Sequence, residues 1–541
     1  MANISFYGSH NAAYVVEEDG QILLVLEVER FLNYKNSGMA QYKCAKVPDL
    51  LFLSRYIPQY IMNYLGIEKF ENCYHLNTDV IMGENRYQLH ERIPANNYIG
   101  CRHHEAHAAG TFYQSPHEKA LIFSFDGGGN DGMFNIYTAD RENSVTLLEA
   151  VRNPVRGSPH LGYDLGFPYM IFGQYLNDIN LEALSDGNLV YSGKIMGLVS
   201  YGNVRNEWLP HFINFYKSGV DGNNYKERLE VLSSETGLEF STQNRLKDQV
   251  AYDVATTSQK AFEECFLEIA KPYINKYPDL PICITGGCGL NIILNTRLAE
   301  ELDNEVFVAP NSNDCGIALG MLLHHMKPKQ QVDITYSGTP LLDLDTLGQH
   351  IQSTSHQYRA HDLELDQLAD DIAKGKIVGV ARGCAEHGPR ALGNRSIICN
   401  PAFPEMKDIL NEKVKHREWY RPFAPVVRLQ DVSKYFEWNQ ETRWMSFCPN
   451  VREEWRDKLS SITHVDNTAR VQTVTREQNP WLYDLITLFE EKTGVGVILN
   501  TSFNVAGKPI LSTLTDAFDL FKNSQMDGLV IEDYYFKKST N

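Results

Sequence analysis

The fold is most clearly indicated by residues 120–137, which begin Ala120-Leu121-Ile122-Phe123-Ser124-Phe125 and continue through Asp126-Gly127-Gly128-Gly129 to Met133-Phe134-Asn135-Ile136-Tyr137. Two apolar runs flank a glycine-rich turn, which predicts a β-hairpin with Asp126 at its tip. Residues 3–30 have the same design, with apolar runs on both sides of Glu18-Asp19-Gly20. Two such hairpins about 115 residues apart predict a duplicated α/β unit.

A third apolar run, Ile282-Cys283-Ile284-Thr285, leads into Gly286-Gly287. This pattern predicts a buried strand, a glycine turn and then a helix that starts near Asn291. Residues 327–345 are rich in Pro, Gly and turn formers, so we place a domain boundary there, giving domains 1–345 and 346–541.

The second domain has its own α/β pattern. Residues 363–372 have helical spacing of apolar residues, and residues 377–381 and 495–499 are predicted strands. The last of these strands would present Asn500-Thr501-Ser502 at its end, where ligands often bind in α/β folds.

A basic, turn-rich run in the second domain points to an anion site. It spans residues 386–396, Glu386-His387-Gly388-Pro389-Arg390-Ala391-Leu392-Gly393-Asn394-Arg395-Ser396. Glycine and proline fix the backbone beside two arginines, and the planar guanidinium binds phosphate-like oxygens in a bidentate manner. Further basic and small polar groups follow at Lys415, Arg417, Arg421, Arg470 and 500–504. The run therefore predicts a pocket for a phosphate or an acyl phosphate.

The composition limits the classes of function. Of 541 residues, 50 are Lys or Arg and 68 are Asp or Glu, so the formal net charge is −18. This charge argues against broad nucleic-acid binding. No window has the ~18 uncharged apolar residues of a membrane helix, and the N-terminus lacks a secretory signal. The ten cysteines are scattered without a CxxC pair, which predicts reduced thiols in a cytoplasmic protein.

A candidate metal site lies in the first domain. His103 and His107 are four residues apart, so both lie on one face if this segment is helical. Asp126 is a natural third ligand and Asp314 a candidate fourth. Two imidazoles with two carboxylates suit Fe(II), Mn or Zn, and the sequence does not choose among these metals.

These residues resemble the O-carbamoyltransferases of the nodulation and antibiotic-tailoring family over nearly the whole chain. The N-terminal part is similar to a Kae1-like domain, a duplicated α/β unit of the actin/Hsp70-type ATPase fold. The C-terminal part is similar to an α+β YrdC-like domain. The matching runs are Gly8-Ser9-His10-Asn11-Ala12-Ala13, Glu29-Arg30 with Lys35, 103–107, 126–129, 193–198, Gly286-Gly287 with Asn291 and Asn295, 388–393, 421–425, 464–466 with Arg470 and Gln472, and 500–504.

The resemblance implies a two-step reaction. Carbamoyl phosphate and ATP, with Mg²⁺, would give carbamoyl-adenylate in the YrdC-like domain. The Kae1-like domain would then pass the carbamoyl group to a hydroxyl of a small-molecule acceptor near a metal ion, typically Fe²⁺ in this family.

The resemblance also assigns roles to individual residues by motif position. Carbamoyl phosphate would be bound by Arg390, Lys415, Arg421, Arg470, Asn500 and Ser502. The metal would be held by His103, His107, Asp126 and Asp314, and nucleotide would contact Gly127, Gly128, Gly129, Gly286, Gly287 and Asn291. Catalytic roles fall to His10, Lys35 and Arg390, with His10 as a hypothetical general base.

Three rival functions are considered. A tRNA threonylcarbamoyl-type enzyme uses the same two folds, but the net charge of −18 disfavours tRNA binding. A hydrogenase-maturation carbamoyltransferase would carry an acylphosphatase domain and zinc-finger cysteine pairs. An actin-like ATPase without transfer activity would not need the basic C-terminal run.

The sequence leaves the acceptor and the assembly open. Candidate acceptors are an aminoglycoside, another antibiotic or toxin scaffold, and a sugar of a signalling lipid. Trp208, Tyr216 and Tyr225, in residues 203–250, either line an acceptor cleft or cover the core. A homodimer is the common arrangement for enzymes of this size.

Overall fold

The computed structural model describes residues 1–38, 50–77, 92–151, 165–179, 187–217, 225–352 and 357–539. The chain divides into two units, the first comprising Met1–Leu32 and Asn36–Ile334 and the second comprising Asn33–Lys35 and Thr335–Asn541. The domain boundary at 345/346 is kept as a proposal. No helix within the described ranges is both long and apolar enough to span a membrane.

The first unit contains two five-stranded sheets that share one topology. Their order is β3-β2-β1-β4-β5 in the first sheet and β8-β7-β6-β9-β10 in the second. In each, three antiparallel strands are followed by two strands parallel to the first of them. This repetition agrees with the predicted duplicated α/β unit. The strands are β1 Asn3–Tyr7, β2 Ala13–Glu18, β3 Gln21–Glu27, β4 Phe70–Leu76, β5 Ala95–Cys101, β6 Lys119–Gly129, β7 Gly132–Asp140, β8 Ser144–Val151, β9 Ile282–Thr285 and β10 Val306–Val308.

Helices pack on these sheets and place the site residues. Helix His103–Gln114 and helix Ile317–Met326 cross closely at Gly110 and Gly320, where a Cβ on Gly320 would lie 1.9 Å from the carbonyl oxygen of Ala106. Only glycine permits this approach. The α-helices of the unit are Val28–Phe31, Leu50–Leu65, His103–Gln114, Gly166–Ile171, Gly187–Leu198, Leu209–Lys217, Tyr225–Thr236, Asp248–Lys276, Ile292–Glu301 and Ile317–Met326, with 3₁₀ turns at Phe172–Gln174, Val199–Tyr201, Gly287–Leu290 and Asp314–Gly316.

The second hairpin differs from the prediction at its tip. Asp126 to Gly129 belong to strand β6, and the turn lies instead at Asn130-Asp131, before β7 begins at Gly132. The pairing register shifts between Phe125 and Gly129. Glycine tolerates unusual backbone angles, so strand β6 continues past this shift in pairing register. The spacing of apolar residues in the sequence does not reveal such a shift.

The glycine turn after β9 is sterically required. Gly286 has φ +87°, and a Cβ there would lie 2.1 Å from the carbonyl oxygen of Phe125. The predicted helix start is confirmed, because Asn291 caps helix Ile292–Glu301 by accepting a hydrogen bond from Leu294 N at 3.0 Å.

We expect Gly286→Ala to destabilise the protein by about 3 kcal/mol or more, since it combines a positive φ with a backbone clash. Gly193→Ala is the control, because a Cβ there meets no atom within 4 Å and the residue lies inside helix Gly187–Leu198. That variant should be neutral or more stable by up to about 1 kcal/mol. Denaturant unfolding measures both variants, and equal stability of Gly286→Ala and the natural protein would contradict the account.

The second unit is built on one eight-stranded mixed sheet of order β11-β18-β17-β12-β13-β16-β14-β15. The predicted helix and both predicted strands are present as Leu365–Ala373, β12 and β16, although β16 extends through Asn500 to Ser502. The strands are β11 Tyr358–Asp362, β12 Val378–Ala381, β13 Arg395–Cys399, β14 Ala424–Arg428, β15 Gln472–Val474, β16 Val497–Ser502, β17 Gly528–Ile531 and β18 Tyr534–Lys538.

Helices and short turns complete the second unit. The α-helices are Leu347–Gln352, Leu365–Ala373, Met406–Asp408, Val432–Tyr435, Pro480–Thr493 and Leu514–Asn523. A π-helix spans Ile409–Lys415, and 3₁₀ turns lie at Leu344–Thr346, Leu429–Asp431 and Glu453–Trp455. The core of this unit includes Val380, Ile398, Val426 and Ile498 of the sheet and Leu482 and Phe489 of helix Pro480–Thr493.

Candidate functional site

Both predicted histidine ligands lie on the first two turns of helix His103–Gln114. The turn between β6 and β7 caps this helix, because the backbone N–H groups of His103 and His104 donate to Asn130 Oδ1 at 2.9 Å and Asp131 Oδ1 at 3.0 Å. These side chains satisfy donors that the helix start leaves unpaired. The hairpin that carries Asp126 therefore also fixes the position of the two histidines.

The structure brings the four predicted metal ligands together. One ligand atom each from His103, His107, Asp126 and Asp314 lies within 4.8 Å of the other three. His107 Nε2 lies 3.3 Å from Asp126 Oδ2, 3.3 Å from Asp314 Oδ1 and 3.2 Å from His103 Nε2. His103 Nε2 lies 3.8 Å from Asp126 Oδ2 and 3.7 Å from Asp314 Oδ1. We call these four residues the four-ligand group.

The spacing of the four-ligand group fits a cation. Donor atoms about 2.1 Å from a metal ion lie about 3.0 Å apart at right angles and about 3.4 Å apart at the tetrahedral angle. The observed separations of 3.2 to 3.8 Å are close to these values. His107 Nε2 faces three polar atoms, which are His103 Nε2, Asp126 Oδ2 and Asp314 Oδ1. Because this nitrogen carries at most one proton, it cannot donate a separate hydrogen bond to each of them.

Further contacts orient both carboxylates. Asp126 accepts hydrogen bonds from the backbone N–H of Gly127 at 2.6 Å and of Gly287 at 2.9 Å. Asp314 Oδ2 accepts a hydrogen bond from the Tyr7 hydroxyl and lies 3.3 Å from His10 Nε2. Each carboxylate thus presents one oxygen to the histidines in a fixed direction.

The buried charges of the group stabilise one another. Burial acts to lower the pKa of His107, but its hydrogen bonds to Asp126 and Asp314 raise that pKa to about 9. Burial acts to raise the pKa of Asp126, but His103 and His107 hold it well below its usual range. The shift of Asp126 favours an ionised carboxylate, which is the state that binds metal, whereas the shift of His107 favours a protonated imidazole, whose proton a bound metal ion would replace.

His104 has a structural role next to the four-ligand group. Its ring nitrogens face Ser124 Oγ at 2.8 Å and the carbonyl oxygen of Gly132 at 3.0 Å. Burial lowers the pKa of His104 to about 4. A neutral His104 therefore ties the helix to strands β6 and β7.

The glycines predicted to contact nucleotide flank the four-ligand group. Gly127, Gly128 and Gly129 lie in β6, and a Cβ on Gly128 would meet no atom within 4 Å. A Cβ on Gly287 would lie 2.9 Å from Asp126 Oδ1. Asn291 is buried, and its amide group bonds Gln259 in addition to capping its helix. The glycines thus offer backbone groups beside the carboxylates, whereas the Asn291 side chain is already engaged.

Five basic side chains form a second constellation, in the second unit. We call Arg390, Lys415, Arg417, Arg421 and Arg470 the basic cluster. Burial and the charge of Arg421 lower the pKa of Arg390 to about 10. Burial and the charges of Arg390 and Arg421 hold the pKa of Arg470 well below its usual range.

Arg421 is the electrostatic centre of the basic cluster. Its charge contributes to the lowered pKa of each other member, which are Arg390, Lys415, Arg417 and Arg470. The Arg421 side chain has one ion pair in the described chain, at 3.7 Å to the buried Glu418. The five cations of the basic cluster have little negative charge near them, so the cluster is suited to bind a polyanion.

Two arginines keep their donors free for a ligand. Neither Arg390 nor Arg470 makes a hydrogen bond or ion pair with any side chain or backbone group of the described ranges, and Arg470 Nε is buried. Buried donors without a partner are costly in an isolated protein. The cost is removed when an anion fills the site.

The predicted Lys415, Asn500 and Ser502 adjoin this cluster. Lys415 Nζ donates to Ser502 Oγ at 3.2 Å and to Asn504 Oδ1 at 2.8 Å. Asn500 Nδ2 donates to the carbonyl oxygen of Ala391 at 3.2 Å, next to Arg390. Strand β16 therefore joins the segment that carries Arg390 to Lys415.

The loop at 386–396 holds its shape through a buried acid. Glu386 Oε1 accepts hydrogen bonds from the backbone N–H groups of Leu392 at 2.6 Å, Asn394 at 2.8 Å and Arg395 at 3.2 Å. The prediction that Arg395 points to a ligand is wrong. Arg395 is fully buried and donates to the carbonyl oxygens of Arg382, Gly383, Thr339 and Asn394, which fixes the loop.

We expect Arg470→Met to stabilise the ligand-free protein by about 0.5–2 kcal/mol while it removes phosphate binding. It removes a half-buried cation that has like charges as neighbours and keeps an apolar side chain of similar length. Thermal unfolding with and without inorganic phosphate measures both effects. Arg476→Met is the control, because Arg476 is exposed and pairs with Asp484 at 3.2 Å. A less stable Arg470→Met that retains phosphate-induced stabilisation would contradict the account.

Two of the three predicted catalytic residues, His10 and Lys35, belong to different units. His10 lies in the first unit beside Asp314, and its Nδ1 faces Asn11 Oδ1 at 3.3 Å. Lys35 lies in the second unit, where its charge helps to lower the pKa of Lys415. Lys35 is thus associated with the basic cluster.

The aromatic residues considered for an acceptor cleft have different positions. Tyr216 is fully buried and its hydroxyl bonds Ser258 Oγ at 2.8 Å, so it belongs to the core. Trp208 packs under the Arg205 guanidinium at 4.8 Å. Tyr225 stacks on Phe167, whose ring is 41% exposed and lies 3.4 Å from a Cβ built on Gly127. Only Tyr225 of the three is thus linked to the glycines of β6.

Sequence reasoning missed Tyr7 and Glu386. Tyr7 contacts a residue 307 positions away, and no local pattern indicates such a contact. Glu386 had a usable signal, because it is the one acid in a run of glycines and arginines. An acid there is suited to bind backbone N–H groups of a tight loop.

Comparisons with known proteins identify the family. A family model described as the carbamoyltransferase N-terminus matches residues 54–323, and one described as the carbamoyltransferase C-terminus matches residues 369–538. The chain is 32% identical over 464 residues to the nodulation protein NolO of Bradyrhizobium diazoefficiens, which covers 81% of this chain and 78% of that protein.

Two further likenesses are more partial. The 3′-hydroxymethylcephem-O-carbamoyltransferase of Amycolatopsis lactamdurans is 34% identical over 292 residues, covering 53% of this chain and 54% of that protein. The crystal structure of full-length HypF in its phosphate- and nucleotide-bound form is 14% identical, with a TM-score of 0.35, over 60% of this chain and 46% of that one. The family assignment rests on the sequence matches: the chain belongs to the carbamoyltransferase family and is a carbamoyltransferase enzyme.

Proposed function

We propose that the protein is an ATP-dependent O-carbamoyltransferase with two half-reactions. In the first, carbamoyl phosphate, ATP and one water give carbamoyl-adenylate, phosphate and pyrophosphate. In the second, a hydroxyl of a small-molecule acceptor takes the carbamoyl group and AMP leaves. The observation that carries the proposal is the basic cluster around Arg421, whose free donors are suited to an acyl phosphate and a nucleotide.

We assign the two half-reactions to the two units. The second unit would be the YrdC-like domain that forms the adenylate, and the first would be the actin/Hsp70-like Kae1-like domain that transfers the carbamoyl group. The repeated strand order of the first unit supports its part of this assignment.

The basic cluster would bind both anionic substrates of the first half-reaction. Carbamoyl phosphate and the triphosphate, with its Mg²⁺, bring negative charge to Arg390, Lys415, Arg421 and Arg470. Ser502 would orient Lys415, to which it is already bonded at 3.2 Å. Neutralisation by guanidinium groups makes the phosphate a better leaving group when the one water of this half-reaction attacks the carbamoyl carbon.

Asn500 would recognise the carbamoyl amide. Its Nδ2 is committed to Ala391 O and to Gln472 Oε1, which accepts at 2.7 Å. Its Oδ1 is buried and has no partner. A carbamoyl NH₂ group can donate to this oxygen, whereas the methyl group of an acetyl phosphate cannot.

The four-ligand group would hold the metal of the second half-reaction, for which Fe²⁺ is the candidate. A metal ion bound there would polarise the carbamoyl carbonyl or lower the pKa of the acceptor hydroxyl. Gly127 to Gly129, Gly286 and Gly287 would offer backbone N–H groups to the adenylate phosphate. His10, next to Asp314, would take the proton of the acceptor hydroxyl. Lys35, which lies with the basic cluster, would bind the anionic donor.

The acceptor would be a small molecule with a free hydroxyl. The similar cephem O-carbamoyltransferase is named for such an acceptor. The stacked pair of Phe167 and Tyr225 offers an aromatic surface near Gly127 for a ring of that molecule. The formal charge of −18 favours this acceptor class over tRNA.

Incubation with ATP, Mg²⁺ and carbamoyl phosphate, without an acceptor, tests the proposal. Chromatography should detect carbamoyl-adenylate and pyrophosphate in equal amounts. Acetyl phosphate in place of carbamoyl phosphate is the matched control and should give neither product. Absence of carbamoyl-adenylate from metal-loaded, folded protein would reject the proposal.

A further inference from the structure

A tyrosine of β1 contacts the metal-ligand candidate Asp314 through the carboxylate oxygen that the two histidine ligands do not face. Tyr7 is the last residue of β1, and its hydroxyl donates a hydrogen bond to Asp314 Oδ2. The other oxygen of the same carboxylate, Oδ1, lies 3.3 Å from His107 Nε2 and 3.7 Å from His103 Nε2. The two oxygens of Asp314 therefore have separate partners.

We propose that Tyr7 is a positioning residue that makes Asp314 bind the metal through Oδ1 alone. The proposal rests on the metal site proposed above. A free carboxylate can rotate about its Cβ–Cγ bond and can bind a cation through one oxygen or both. A hydrogen bond that occupies Oδ2 removes this choice.

Burial makes this hydrogen bond effective. Tyr7 and Asp314 are each 3% exposed, so little water competes for either partner. The backbone of Tyr7 is held between two strands, because β1 pairs with β2 at Tyr7 and Ala13 and with β4 at Phe6 and His75. A hydroxyl on such a rigid element can hold a ligand in one orientation.

His10 does not replace this contact. Its Nε2 lies 3.3 Å from the same Oδ2, but its side chain is 23% exposed. It lies in the loop between β1 and β2, where Asn11 has a positive φ of 57°. The buried phenol is therefore the better fixed of the two groups that face Oδ2.

The test compares Tyr7→Phe with Tyr216→Phe. Each change removes one buried hydroxyl from the first unit, but Tyr216 bonds Ser258 and none of the four ligands. Metal-free protein is titrated with Mn²⁺, and free Mn²⁺ is followed by electron paramagnetic resonance. We expect Tyr7→Phe to raise the dissociation constant about 10–100-fold and Tyr216→Phe to leave it unchanged.

A spectroscopic readout separates positioning from general loosening. With Co²⁺ in place of Mn²⁺, release of Asp314 Oδ2 lets both oxygens bind, which raises the coordination number and weakens the visible absorption per ion at saturation. We expect this weakening in Tyr7→Phe only. Unchanged Mn²⁺ affinity and Co²⁺ spectrum in Tyr7→Phe would overturn the proposal, as would equal losses in both variants.

The test of Tyr7 and the test of the proposed function can fail independently. If the natural protein binds neither Mn²⁺ nor Co²⁺, the positioning role of Tyr7 is rejected together with the metal site. Carbamoyl-adenylate formation by the natural protein does not involve Tyr7, so the adenylation assay tests that half of the proposed function separately.

Discussion

Replacement of Arg421 by alanine is expected to lower carbamoyl-adenylate formation by at least about 100-fold, the usual loss when one donor to a developing charge is removed. Arg421 is the one cation that affects every other member of the basic cluster. Its loss also removes the ion pair that Arg421 forms with Glu418 at 3.7 Å. The measurement is the initial rate of pyrophosphate release with ATP and carbamoyl phosphate.

Two variants control for charge and for folding. Arg421→Lys keeps the positive charge but loses the planar fork, so we expect an intermediate rate. Arg476→Ala removes an exposed arginine of the same unit, whose side chain is 66% exposed, and should keep the full rate. An Arg421→Ala protein that is folded and forms the adenylate at the natural rate would exclude the basic cluster from adenylation.

Replacement of His107 by alanine is expected to abolish transfer while adenylate formation continues. His107 Nε2 has the shortest distances within the four-ligand group, 3.2 to 3.3 Å to its three other members. Loss of a residue that only hydrogen-bonds a metal ligand typically lowers metal affinity about 10–100-fold. His107 is itself a candidate ligand, so its loss should lower metal affinity by at least about 100-fold. Metal analysis of the purified protein and the yield of carbamoylated acceptor measure the two effects.

The control for this prediction is His211→Ala. His211 lies in the same unit and pairs with Glu235 at 2.8 Å on the surface, so its loss should change neither metal content nor transfer. Carbamoyl-adenylate should accumulate in the His107→Ala protein. Transfer at the natural rate by metal-free His107→Ala would show that the four-ligand group has no part in the second half-reaction.

The sequence predicts the parts of the site that depend on short spacing. The prediction that His103 and His107 lie on one helix face is confirmed, because their separation of four residues matches the helical period. Asn291 caps its helix as the glycine turn before it indicates. Strands β6 and β9 follow from apolar runs bounded by glycines. Such features need only local backbone preferences.

Other features depend on contacts between distant segments. The turn of the second hairpin moves to Asn130-Asp131, because these side chains cap the helix that carries the histidines. Arg395 fixes the loop at 386–396 because it donates hydrogen bonds to backbone carbonyl oxygens. Arg390, five residues earlier, keeps its donors free. Residue type alone does not separate two arginines five positions apart in one run. Tyr7 is missed for the same reason.

The most direct test of the central claim is exchange of labelled pyrophosphate into ATP without an acceptor. Formation of an enzyme-bound adenylate is reversible, so pyrophosphate should return its label to ATP only when carbamoyl phosphate is present. We expect exchange in the natural protein and in His107→Ala, and none in Arg421→Ala. Exchange without carbamoyl phosphate, or no exchange while an acceptor is still carbamoylated, would contradict a carbamoyl-adenylate made at the basic cluster.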